Sequence, residues 1–137
     1  MELVPTLETV WSAAGVIAGF QVAAFSWRLS REISMSDSGE ATWLPLADWI
    51  NLASLTVTLL GVFAAPVLGL FGLWGATRAF GWAVLLLTGW PLAVAGHYEL
   101  FHRRPRTRPA PYVTHEEWAV VAIVTAASVA YWVVVVV

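Results

Sequence analysis

The sequence predicts an all-α integral membrane protein, a small bundle of four transmembrane helices with both termini outside. Three observations carry that expectation. Of the 137 residues, 59% are hydrophobic and 12% charged, whereas soluble domains run at roughly 45–50% and about 25%. The few charges are bunched between four apolar stretches, each near the ~20 residues that cross a hydrocarbon core about 30 Å thick. The arginines, with no lysine beside them, concentrate in alternate connections between those stretches. The same composition, with no cysteine and a net charge of −2, argues against a disordered chain, a disulfide scaffold, a cysteine zinc site, a thiol nucleophile or a nucleic-acid binder.

Residues 1–137 read as one domain with spans at about 5–27, 46–68, 79–101 and 117–137. The first span is read as retained: Met1 to Val10 carries Glu2 and Glu8 where a signal peptide carries basic residues. Within it, Ser12, Gly15 and Gly19 form a G-x-x-x-G groove that lets another backbone approach, from this chain or from a partner. Gln21 and Ser26 are expected to bond to neighbouring helices. The following connection, Ser30 to Thr42, reads as a flexible solvated loop. The second span opens on Asp48, Asn51, Ser54 and Thr58, whose three- and four-residue steps place them on one face. Residues 69–81, with Gly69, Gly72, Gly75 and Gly81, read as a tight outer turn rather than a re-entrant element. Pro91 is expected to kink the third span. Arg103, Arg104, Arg106 and Arg108, interleaved with prolines, make the third connection semi-rigid and basic, suited to anionic lipid or a partner. Thr114 and Glu117 begin the fourth span as a capping box.

Arginine placement gives the direction. Arg28 and Arg31 lie in the first connection and four arginines in the third, while the second holds only Arg78, so the first and third are cytoplasmic. Trp11, Trp27, Trp43, Trp49, Trp74 and Trp118 fall near span ends, at interface depth. The exclusion of lysine, with abundant Ala, Val, Gly and Trp, points to the cytoplasmic membrane of a GC-rich prokaryote.

Each polar residue in a span has two readings. The stripe Asp48, Asn51, Ser54 and Thr58 on the second span, with His97 and Glu99 at its mouth, reads as an ion pathway or as interhelical hydrogen bonding. His97, His102 and His115 gather on the cytoplasmic side and offer a metal or haem site, but His97 and His102 are five apart and point away from one another on a helix. No cofactor is predicted. Glu8 complements the first helix N-terminus or ends a conduction path. The patterns of eicosanoid-type membrane enzymes, quinone-linked thiol oxidoreductases, small multidrug exporters and fluoride channels are absent. The leading expectation is a non-enzymatic multi-pass membrane subunit, a homo-oligomer or accessory to other membrane subunits. An ion- or proton-conducting oligomer is the alternative, and a metal- or haem-dependent membrane enzyme the second.

Overall fold

A computed structural model describes residues 5–39, 43–101 and 112–135. It is all-helical among these residues, and four helices are long and apolar enough to cross a membrane: α1 (Leu7–Asp37), α2 (Leu46–Val67), α3 (Leu73–His97) and α4 (His115–Val135). His102, Arg103, Arg104, Arg106 and Arg108 lie outside the described residues.

α1 starts where Thr6 Oγ1 accepts the Thr9 amide at 3.2 Å, with Glu8 in the first turn as the helix dipole favours. It outlasts the expected span by ten residues, so most of the segment read as a flexible connector is helix. Serine hydroxyls satisfy backbone carbonyls of the same helix there, Ser26 Oγ on Val22 O at 2.8 Å and Ser30 Oγ on Ser26 O at 3.0 Å. Ser26 thus bonds within α1 and not across it. Gly39, at φ 81°, takes the left-handed conformation beyond the helix end.

α2 is not uniform. Residues Thr58–Ala64 form a π-helical stretch before the final turn Ala65–Val67. The cause is Pro66, whose ring collides with the carbonyl four residues back in an α-helix and whose nitrogen has no hydrogen to give it. That carbonyl, Val62 O, accepts instead from Trp11 Nε1 of α1 at 2.8 Å. The turn after α2 is short, because Leu70 N bonds to Ala65 O and Gly69 N to Pro66 O with Gly69 at φ 70°, a Schellman ending. α3 then begins at Leu73, so the glycine-rich segment is a tight turn plus the first turns of a helix, with no re-entrant element. α3 continues through Pro91 and ends in the same way, with Glu99 at φ 52° in the place usually given to glycine.

α3 packs on both α2 and α4, and α1 lies against α2 and α3. One face of α3 is built for close approach. A Cβ at Gly89 would meet Val124, one at Gly81 would meet the Tyr131 hydroxyl at 2.5 Å, and one at Gly96 would meet the Glu117 backbone nitrogen at 2.7 Å. Steps of eight and seven residues keep these glycines on one side of the helix, where α4 seats. The apolar core forms two clusters: Val10, Ala14, Val62 and Ala76 at the end holding the α1 N-terminus, and Ala47, Ile50, Ala93 and Val124 towards the other.

Candidate functional site

Polar side chains collect at the end where α1 and α3 finish and α2 and α4 begin. Gln21, Arg28, Asp48, Asn51, Ser54, Thr58, His97, Thr114 and Glu117 are all buried. On α1, Ala14, Gln21 and Arg28 recur every seven residues and so share the inward face. On α2 the expected stripe is real and faces inward, with Asn51 and Ser54 at 0% exposure.

Three layers of bonds connect the helices. In the first, Gln21 Nε2 donates to Asn51 Oδ1 at 3.1 Å and Ser54 Oγ at 2.9 Å, and Ser54 Oγ donates to Ala83 O of α3 at 2.7 Å. Thr58 Oγ1 bonds to Ser54 O of its own helix at 3.0 Å. The Gln21 Oε1 oxygen is buried with no partner among the described residues.

The second layer is an ion pair. Arg28 Nη2 donates to Asp48 Oδ2 at 2.8 Å and Nε to Oδ1 at 3.2 Å, with the two side chains 3% and 1% exposed. Trp90 Nε1 adds a third donor to Asp48 at 3.1 Å, and Arg28 Nη1 reaches Tyr98 Oη at 3.3 Å. Arg31 stacks over the Tyr98 ring, 4.8 Å from its centroid. Asp48 is in the first turn of α2, so the helix N-terminus also favours its charge. The fork geometry of the guanidinium explains why an arginine occupies this place.

The third layer joins α3, α4 and α2. His97 Nδ1 lies 3.0 Å from Glu117 Oε2, and Glu117 Oε1 accepts the Ala47 amide at 2.8 Å. The expected capping box is half formed. Thr114 Oγ1 accepts the Glu117 amide at 3.0 Å, but the Glu117 carboxylate turns away from the Thr114 backbone to reach His97 and α2. Thr114 Oγ1 also donates to Gly96 O at 2.8 Å, and the close approach at Gly96 makes that possible. Trp43 stands edge-on to the His97 ring with centroids 5.8 Å apart.

A cleft of about 270 Å³ beside this cluster is lined by Phe25, Arg28, Glu32, Trp43 and Asp48 among others. Asn51, Ser54 and Thr58 line neither this cleft nor a larger one at the opposite end. Glu99 is half-buried in the turn after α3. His115 is exposed at the start of α4, apart in character from buried His97, and no three metal-ligating side chains come together among the described residues.

Sequence reasoning put Asp48, Asn51, Ser54 and Thr58 on one face of α2 and Gln21 in a bond between helices, without saying what the stripe faces, and counted Arg28 only as a loop cation; all six are buried. The signal that locates it is the seven-residue step from Gln21 together with an acid, Asp48, at matching depth on the next helix. The glycine face of α3 also went unread, while the α1 glycines drew attention. Ser12, Gly15 and Gly19 are exposed, and a Cβ at either glycine would meet nothing within 4 Å. No protein-family model, characterised protein or solved structure matches this chain.

Proposed function

We propose that the chain is a non-enzymatic multi-pass subunit of a prokaryotic cytoplasmic membrane, assembling through the outer face of α1 with copies of itself or as an accessory to other membrane subunits. The observation that carries this reading is the open groove at Ser12, Gly15 and Gly19, all exposed, where a Cβ at either glycine would meet nothing within 4 Å among the described residues. Small residues on a lipid-facing helix favour close backbone contact with another helix. Val16 and Phe20, 62% and 73% exposed, extend the same outer surface.

The polar cluster supports a structural role in that subunit. Its side chains bond to one another across α1, α2, α3 and α4, so the bundle offers a partner a fixed surface. Conduction along the α2 stripe would require Asp48 to leave Arg28 and Ser54 to leave the Ala83 carbonyl; the cleft beside the cluster is lined by Asp48 but not by Asn51, Ser54 or Thr58. The basic third connection, by its sequence, serves anionic lipid or a cytoplasmic partner.

The test is the mass of the protein, gently extracted in mild detergent, for wild type, Gly15→Leu and Gly19→Leu. Both glycines face open space, so the variants are expected to keep the wild-type thermal transition while losing the associated copy or chain. A wild type of single-chain mass, or variants that associate as before, overturns the assembly face.

A further inference from the structure

The second cleft lies at the opposite end, between the π-helical stretch of α2, the first turns of α3 and the last turns of α4. Its volume is about 490 Å³, within the range of about 300–1,000 Å³ typical of small-molecule sites. Its walls are almost wholly apolar, from Val57, Leu60, Phe71, Ala79, Trp82 and Trp132. The fold makes this space deliberately. The π stretch widens α2 where Leu60 and Gly61 face the cleft, and Gly61 sits so near α3 that a Cβ would meet Ala79 Cβ at 2.7 Å. π-helical turns of this kind are frequent at functional sites.

One charged group borders the cleft. Arg78 lines it and is exposed, and its backbone carbonyl accepts the Tyr131 hydroxyl at 2.8 Å, which fastens the arginine to α4. Among the described residues no carboxylate pairs with Arg78. It stands five residues inside α3, about 7.5 Å from the helix start at about 1.5 Å per residue, a depth from which a long side chain reaches the headgroup layer. A cation at headgroup depth attracts an anionic headgroup, and the tryptophans and tyrosine around it are of the kind that sit at that level.

We propose that this cleft is a binding site for one anionic phospholipid, its acyl chain along the apolar walls and its phosphate on the Arg78 guanidinium. Charge complementarity selects the headgroup. The chain is selected by the cleft's apolar lining and by its place between spans, where lipid is the solvent. The site lies at the start of α3, away from the polar cluster at the α3 end, and it does not depend on the assembly face of α1.

The experiment is native mass spectrometry in mild detergent with equimolar phosphatidylglycerol and phosphatidylcholine of identical chains. Wild type is expected to retain phosphatidylglycerol about fivefold more strongly, the effect of one arginine at an anionic surface. Arg78→Gln should lose that preference for one bound lipid, Arg78→Lys should keep most of it, and Leu60→Trp, which narrows the cleft, should reduce retention of both lipids. Inorganic phosphate should not displace the lipid, since it lacks the chain. No preference in wild type, an unaltered preference in Arg78→Gln, or full displacement by phosphate overturns the proposal. If Arg78→Gln does not fold, Leu60→Trp decides: unchanged retention of both lipids overturns the cleft as their site.

Discussion

Asp48 and Arg28 hold one another away from water, and the consequence of separating them is large. In Asp48→Asn the guanidinium stays buried with a neutral neighbour, so stability should fall by about 3–5 kcal/mol, read as an earlier thermal or denaturant transition in detergent. Removing both charges in Arg28→Met with Asp48→Leu should recover most of that loss, because no uncompensated ion remains. A single variant as stable as wild type would show that the pair carries no such weight. The stripe on α2 was legible from spacing alone, since three- and four-residue steps on a helix can only make one face. What it faced was not legible. Whether Asn51 and Ser54 meet water or Gln21 depends on how α1 is rotated, and a polar stripe has the same spacing in either case.

Among the elements, the π stretch of α2 follows from a single proline and is completed by a different helix. Trp11→Phe removes the donor to Val62 O and should cost about 1–3 kcal/mol as an unsatisfied buried carbonyl. Adding Pro66→Ala supplies an amide within α2, so the double variant should be more stable than Trp11→Phe alone, as thermal unfolding would show. Equal losses would mean that the indole acts only by packing. The four spans were readable because length and hydropathy suffice for them. The extension of α1 to Asp37 was hidden, because its serines and charges look like a loop by composition, whereas Ser30 and Ser38 hydroxyls satisfy backbone carbonyls of the same helix. The glycines of α3 escaped notice because eight- and seven-residue steps leave no local motif, whereas G-x-x-x-G is visible at once and here faces outward.

At the scale of the whole molecule, the direction of insertion is a sequence expectation that the lack of cysteine makes easy to check. A thiol introduced at Ser38 should react with an impermeant reagent only after the cytoplasmic side is opened, and one at Gly72, where a side chain meets nothing within 4 Å, should react from outside. The reverse pattern would invert the topology. The fold class was legible in the sequence because the bilayer permits few alternatives. The function was less so, because among the described residues the side chains at the polar end bond mainly to one another, an arrangement that spacing along the chain does not announce.

Those two buried ionisable pairs have a meaning for how the chain is made. Arg28 with Asp48 and His97 with Glu117 are each separated by 20 residues, the first across the α1–α2 connection and the second across the α3–α4 connection. Arg28 therefore finds its counter-ion within the α1–α2 hairpin, and His97 finds Glu117 within the α3–α4 hairpin. Each hairpin is thus an internally matched unit, the second closed by the glycine face of α3 on α4, and the expectation that follows is an insertion pathway in which each hairpin forms before the two halves meet.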